Sequence, residues 1–308
     1  FETIAREWHM LNKPKWTNYY AKQIFIRLEK DVFPWLGGKH VNDIEPVDVL
    51  NCLRRIENRG AGELAHRVKS YCGQAFRYGI ATGKAKRDPT QDLKGALAPK
   101  VSQKMAAITE PRKAGELLRS IDTCEASLSV KSALQLMPLV FLRSCELRYA
   151  LWSEIDIERA VWRIPASKMK SREEHIVPLS KQAISIIEDI RPYNGKGAAE
   201  QYIFQSPQKR QQPITGDSIR QALRRMGVKK EEMTVHGFRA MASTMLNEDG
   251  WRQDLIEKQL AHKELNSVRA AYNRASYLDE RRKMMQEWAD YLDELRSGGK
   301  VIEGKFGG

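Results

Sequence analysis

The 308-residue chain is too long for one small core and fits two domains of ordinary size. Its 52 lysines and arginines against 39 acidic residues give a formal net charge of +13, so the expected partner is a polyanion, either nucleic acid or an anionic surface. The longest apolar stretch, Leu134 to Leu142, is broken by Gln135 and Pro138 and falls short of the ~20 residues of a spanning helix, which argues against a membrane-inserted protein.

In chain order, the first hundred residues read as helical throughout. Apolar positions recur at helical spacing in Ile24, Ile26, Leu28 and Val32, then in Val47, Leu50, Leu53 and Ile56. Pro34, Gly37 and Gly38 end one helix, Asn42 to Pro46 starts the next, and Arg59-Gly60-Ala61-Gly62 turns into a third over Glu63 to Ile80. That segment sets Arg67, Lys69 and Arg77, followed by Lys84, Lys86 and Arg87, beside Tyr71, Phe76 and Tyr78. Such a face suits a helix laid along a phosphate backbone, and a merely solvated basic face accounts for the same residues equally well.

Periodicity fades from Asp88-Pro89 to Ile108. The expected organisation is therefore a helical domain over residues 1–95, a linker over 96–108, a second domain over 109–296 and a flexible glycine-rich tail over 297–308. Thr109, ahead of Glu110 and Pro111, is expected to cap the first helix of the second domain. After Trp152, the groups Ile155 and Ile157, Val161 with Trp162 and Ile164, and Ile176 with Val177 predict three short strands of a small antiparallel sheet. Helical patterns resume at Leu179 to Ile190, Gly216 to Met226, His236 to Asn247, Trp251 to Leu260 and Leu278 to Leu295. The fold class is thus mainly α with a small antiparallel β-sheet. On the last helix Met284, Trp288, Tyr291 and Leu295 share one face, a stripe that needs a partner inside or outside its own domain.

Cys52, Cys72, Cys124 and Cys145 form neither a CxxC pair nor a zinc-spaced cluster, so they read as reduced thiols, and no segment has the order of a secretory signal, although the chain opens on Phe1. Cys145 is expected to pack. Arg143 closes the apolar run with Glu146 three residues on, expected on the same helix face, where an ordinary ion pair is the plain explanation. His236-Gly237-Phe238-Arg239 stands where a helix begins, with Thr234 as a cap, and helix N-termini favour anions. Leu260-Ala261-His262 ends a helical pattern, and Tyr272 follows ten residues later. Each element is common alone; their order, in a basic chain, is not.

The ordered set of Arg143, a lysine in a strand turn, His236-x-x-Arg239, His262 and Tyr272 resembles the signature of the tyrosine recombinases, the phage integrase family. Within it the chain is similar to the P4-type integrases of prophages and genomic islands. The matching blocks are Glu146-Leu147-Arg148, Trp152-Ser153-Glu154-Ile155-Asp156, Trp162-Arg163-Ile164-Pro165, His236 to Thr244, Gln259-Leu260-Ala261-His262, Arg269 to Arg274 and Trp288-Ala289-Asp290-Tyr291. The resemblance implies a helical core-binding domain followed by a catalytic domain. It implies that Arg143 and Arg239 clamp the scissile phosphate, that Lys170, with Lys168 as its neighbouring alternative, protonates the departing 5′ oxygen, and that His236 and His262 handle protons and hydrogen bonds. Tyr272 would attack phosphorus to leave a 3′-phosphotyrosine. Tyr277 is the nearest rival, and Ser276 with Asp279 reads as a capping box ahead of the final helix.

Further implications are double-stranded DNA attachment sites as partner, four protomers on two duplexes with the last helix docked on a neighbour, accessory DNA-bending or directionality factors, and action in the bacterial cytoplasm on nucleoid DNA. No cofactor or metal is implied; P4-type members usually carry a further small domain for arm-type DNA sites, and the sequence is expected to start after it, either as a fragment or as a member without that domain. One departure stands out: many relatives have a Thr-Gly turn just before the arginine, where this chain reads Leu142-Arg143-Ser144-Cys145-Glu146. Two other readings use the same residues, an inactive DNA-binding regulator of this fold and a type IB topoisomerase-like enzyme.

Overall fold

The computed structural model describes residues 1–99, 105–194, 200–209, 211–262 and 277–298. The chain divides into two compact units, Phe1–Gln103 and Lys104–Gly308.

The first unit is helical: α1 (Glu2–Asn12), α2 (Asn18–Asp31), α3 (Pro46–Asn58) and α4 (Gly62–Ala81). Thr17 caps α2 by accepting from Tyr20 N, and α2 stops at Asp31, ahead of a wide turn over Phe33–Gly37 that Pro34 opens. Pro46 starts α3, whose Asp48 carboxylate accepts from Glu45 N at 3.0 Å. On α4 the residues Ala65, Val68, Tyr71, Cys72, Ala75 and Phe76 keep helical spacing and are buried. This stripe packs against α1 and α3 around Ile4, Trp8, Ile24, Leu28, Leu53 and Ile56. Leu97 is buried in this core, and Ala98 N donates to Glu57, so the segment after Asp88 is held against the helices as far as it is described.

The second unit begins earlier than Thr109. Ala106 O accepts from both Thr234 N (3.1 Å) and Thr234 Oγ1 (3.2 Å), and Ala107 and Ile108 pack on the core. Helix α5 (Pro111–Thr123) has Glu110, not Thr109, at its N-cap, with no side-chain cap bond, because Pro111 occupies the first helical position and sets the register. Helix α6 (Leu128–Val140) is the centre of the core: Ala133, Leu134, Leu136, Met137, Leu139 and Val140 are all buried. Phe141 ends it in the left-handed region (φ 58°), and the short α7 (Ser144–Arg148) follows.

The three strands form at the three apolar groups, the first stopping short of Ile157. β1 (Ile155–Asp156), β2 (Val161–Ile164) and β3 (His175–Pro178) make an antiparallel sheet in that order, with Trp162 opposite Val177 and Ile164 opposite His175. Helices α8 (Lys181–Asn194), α9 (Gly216–Arg225), α10 (Gly237–Glu248), α11 (Gln253–Gln259) and α12 (Leu278–Ser297) complete the unit. Among the described residues no helix is long and apolar enough to cross a membrane.

The stripe on α12 is used in its own unit, which corrects the expectation that a neighbouring protomer covers it. Met284, Met285, Trp288, Leu292 and Leu295 are buried in the common core, and Trp288 Nε1 donates to Pro138 O at 2.8 Å. That carbonyl needs a donor from outside α6, and the indole supplies one. Gly115 on α5 permits the approach: a Cβ there would sit 2.3 Å from Leu295 O. The Ser276 half of the expected capping box lies outside the described residues, and α12 starts from Tyr277 in a left-handed conformation with no side-chain cap bond.

Candidate active site

Three segments converge on one place in the second unit: the α6–α7 turn, the start of α10 and the end of α11. At the first, the left-handed Phe141 swings the chain out of α6 so that Arg143 becomes the N-cap of α7, not a residue on a helix face. Glu146, 4% exposed, reaches back to accept from Arg143 N (2.8 Å) and from its guanidinium (2.8 Å). One carboxylate thereby fixes both the backbone and the side-chain direction of the arginine. Cys145 is exposed here, so its expected packing role does not hold; α7 turns it outward.

At the second segment, Thr234 Oγ1 accepts from Gly237 N (2.9 Å), the cap foreseen from sequence, and His236 is the N-cap residue of α10. Gly237 is required, since a Cβ would come 2.5 Å from Ala106 O. Arg239 follows at 4% exposure. Its guanidinium donates to Phe141 O, to Leu260 O at 2.7 Å and to His262 Nε2 at 3.2 Å, while its Nε is buried with no partner among the described residues. Because a guanidinium only donates, His262 Nε2 accepts, so its Nδ1 carries the hydrogen and donates to Glu257 at 2.6 Å. Arg143 reaches the same end of α11, donating to Ala261 O at 3.4 Å.

The electrostatics follow from that crowding. Burial first, and then the Arg143 charge, pull the Arg239 guanidinium down to about 10, which leaves it charged at neutral pH. Burial, Arg239, Arg143 and His262, in that order, hold the His236 imidazole below its usual value, so it stays neutral. Arg239 is thus a buried cation hydrogen-bonded to neutral acceptors, with its Nε–H unused, beside a second arginine. An anion arriving there relieves repulsion and fills an open hydrogen-bond position.

The two lysines separate. Lys168 is bound to the buried Glu154, whose other oxygen accepts from Trp162 Nε1 (3.2 Å), and also donates to Tyr149 O at 2.7 Å. It is a structural tie. Lys170 stands exposed on the β2–β3 turn and its ammonium has no partner among the described residues. Arg143, Arg239, His236 and His262 are brought together; no contact joins Lys170 to them, and Tyr272 lies outside the described residues.

Sequence reasoning missed the carbonyls of Phe141, Leu260 and Ala261, and the roles of Glu257, Gln259 and His175. His175 is 6% exposed, donates through Nε2 to Gln259 O (3.1 Å), and is pushed down to about 3, by burial first and then by Arg281. Only the unfolded imidazole then takes up a proton as pH falls through 6.5, so stability present above that value is lost progressively toward pH 3. The expected loss from this residue is about 2 kcal/mol between neutrality and pH 5. Thermal midpoints measured across that range should fall less in His175→Gln; an equal fall in both proteins contradicts the assignment.

The basic face of the first unit is mostly engaged. Arg67 pairs with Glu63 (2.5 Å), Lys84 with Glu7 (2.6 Å) and Arg87 with Glu45 (2.6 Å), all exposed pairs that a phosphate can displace at little cost. Arg77 instead binds Asp88 (2.7 Å), whose carboxylate also accepts from Thr90 and Gln91, and Lys69 donates to Leu93 O (2.7 Å). Those two hold the segment after α4. Lys86 is exposed, with its ammonium unpaired among the described residues. Lys86→Ala is therefore expected to leave the thermal midpoint unchanged and to reduce the salt slope of polyanion binding by about one. Arg77→Ala is expected to cost about 1–3 kcal/mol of stability. Binding titrations at several salt concentrations, with melting curves, check both.

Comparison with known proteins decides the family. A model described as the phage integrase central domain matches residues 1–96, and one described as the phage integrase family matches residues 109–278. The chain belongs to the phage integrase family. The prophage integrase IntS of Escherichia coli (strain K12) is 36% identical over 294 residues, 96% of this chain and 75% of that protein. The integrase of Enterobacteria phage P4 is 35% identical over 312 residues, 96% of this chain and 70% of the phage protein. Among solved structures, a lambda integrase dimer bound to a COC′ core site has a TM-score of 0.67 at 15% identity, covering 88% of this chain and 93% of that one. The Tn1549 transposon integrase in complex with circular intermediate DNA has a TM-score of 0.64 at 13% identity, covering 91% and 98%. At such identities these two bear on the fold, mainly helical with a small antiparallel sheet. As a member of this integrase family, the chain is a tyrosine-type site-specific recombinase.

Proposed function

We propose that this integrase cuts and rejoins double-stranded DNA at attachment sites of a prophage or genomic island, through a 3′-phosphotyrosine on Tyr272. The observation that carries the reading is the convergence of Arg143, Arg239, His236 and His262, with the Arg239 Nε–H left open. Arg143 and Arg239 neutralise the charge that grows on the non-bridging oxygens. The Tyr272 oxygen forms a bond to phosphorus, the bond from phosphorus to the 5′ oxygen breaks, and Lys170 gives that oxygen its proton. A 5′ hydroxyl from the partner strand then attacks the phosphotyrosine and releases the tyrosine, so resealing needs no outside energy source. The neutral His236 hydrogen-bonds the phosphate, while His262, its Nδ1–H held by Glu257, takes the Tyr272 proton on Nε2 as the bond to phosphorus forms and returns it when the tyrosine leaves, Lys170 taking back the proton of the attacking 5′ hydroxyl.

Arg67, Lys84, Lys86 and Arg87 make backbone contacts that position the duplex, and Lys69 and Arg77 support the element that carries them. The functional division is a core-binding part in the first unit and a catalytic part in the second. Four protomers act on two paired sites, with accessory bending or directionality factors, in the bacterial cytoplasm. Support for DNA and for assembly comes from the relatives, which include a lambda integrase tetramer bound to a Holliday junction.

The test is a pool of nicked duplexes with randomised cores, in which cleavage releases a short strand and traps the protein on DNA. The expected product is a covalent adduct whose DNA-bearing peptide contains Tyr272. An adduct on any other residue overturns the nucleophile, and none at all leaves a DNA-binding regulator of this fold.

A further inference from the structure

The end of α11 offers consecutive carbonyls to separate groups. Gln259 O accepts from His175, Leu260 O from Arg239 and Ala261 O from Arg143, and His262 then meets Arg239. Both arginines therefore take their position from one stretch of backbone, whose Ala261 lies in the left-handed region (φ 49°). Gln259 also ties this stretch to the end of α6, its side chain donating to Val140 O at 3.2 Å beside Phe141. On the sheet side two side chains fasten it: Arg281, which donates to both Gln259 Oε1 (3.0 Å) and Ile176 O (2.7 Å), and His175, the first residue of β3 and the last step of the turn that carries Lys170, which alone of the two binds the Gln259 backbone carbonyl.

We propose that His175 is a positioning residue, whose Nε2–H bond to Gln259 O sets the β2–β3 turn against the segment that aligns Arg143, Arg239 and His262. The inference rests on the phosphotyrosine reading, since it is in that reaction that the register of an amine against two guanidinium groups matters. His175 touches no substrate atom. The burial that keeps its ring neutral keeps it a fixed donor across the working range of pH, suited to alignment and not to proton transfer. A displacement of about 1 Å among reacting groups lowers rates by on the order of a hundredfold, so one hydrogen bond at this junction can carry a large kinetic effect.

The experiment measures single-turnover cleavage of the nicked duplex at saturating DNA, with the dissociation constant for the same duplex and the thermal midpoint. His175→Leu fills the space without the donor, and His175→Gln restores a donor near the position of Nε2. The expected result is a rate about 10- to 100-fold lower in His175→Leu at unchanged DNA affinity, recovered to within about threefold in His175→Gln. A His175→Leu protein that cleaves at the unsubstituted rate overturns the role, as does a His175→Gln protein as slow as His175→Leu. Should the leucine variant fail to fold, the ring of the unsubstituted protein still decides: nitrogen NMR shifts should report a neutral imidazole with hydrogen on Nε2 from pH 5 to 8, and hydrogen on Nδ1 overturns the proposal. Lack of any adduct from the unsubstituted protein overturns the phosphotyrosine reading and this inference with it, an outcome distinct from an active parent with an equally active His175→Leu.

Discussion

Tyr272→Phe is expected to abolish covalent capture of a nicked duplex while leaving the affinity for that duplex within about twofold of the parent. The ring is preserved, so packing and shape are disturbed little, and only the oxygen that would attack phosphorus is lost. Removal of a nucleophile that no neighbour can replace costs on the order of 10⁴-fold or more in the chemical step. Tyr277, the nearest tyrosine in sequence among the described residues, is partly buried against the core, and Arg252 lies 5.2 Å over its ring. It is held as a structural residue at the start of α12, which is why no rescue by Tyr277 is expected. Adduct yield on denaturing gels, beside binding isotherms, separates the two quantities. A Tyr272→Phe protein that still forms an adduct would remove the nucleophile from the scheme.

Arg239→Ala should have two effects of different origin. The chemical one is a fall of at least about 10³-fold in single-turnover cleavage, because a preorganised donor set aimed at the phosphate is worth several kcal/mol when water is excluded. The structural one comes from the carbonyls of Phe141 and Leu260, which Arg239 satisfies. Each buried acceptor left without a donor costs about 1–3 kcal/mol, offset in part because a buried cation has been removed. The thermal midpoint should therefore fall as well. Arg239→Lys keeps the charge but lacks the planar fork that spans both carbonyls and a phosphate, so it is expected to stay well below a tenth of the parent rate. Full activity in Arg239→Lys would show that charge alone suffices.

Much of this architecture could be read from residue patterns, for reasons that differ by element. The sheet was legible because short groups of β-branched and aromatic residues, Val161 with Trp162 and Ile164, then Ile176 with Val177, are bounded by polar turns. The start of α10 was legible because Thr234 and Gly237 have side-chain and backbone requirements of their own. The position of Arg143 at a cap was not, since nothing about phenylalanine announces a left-handed turn; glycine at that place would have. Gathering of the two arginines depends on carbonyl groups, which every residue possesses and which carry no identity in sequence. The pairs Lys84 with Glu7 and Arg87 with Glu45 join residues far apart in the chain, so local charge patterning could only mark those bases as available.

The amphipathic pattern of the last helix likewise said that one face must be covered, without saying by what. Its Met284, Met285, Trp288, Leu292 and Leu295 sit in the same core as α6, and Phe141 meets Trp288 edge to face at 6.0 Å. Five such side chains returned to water forfeit on the order of 10 kcal/mol, comparable with the whole stability of a domain. A chain shortened before Leu278 is therefore a folding mutant first. Failure of such a protein to bring two DNA sites together would report a collapsed arginine turn, and mapping of subunit contacts has to rely on exposed point substitutions along α12 instead.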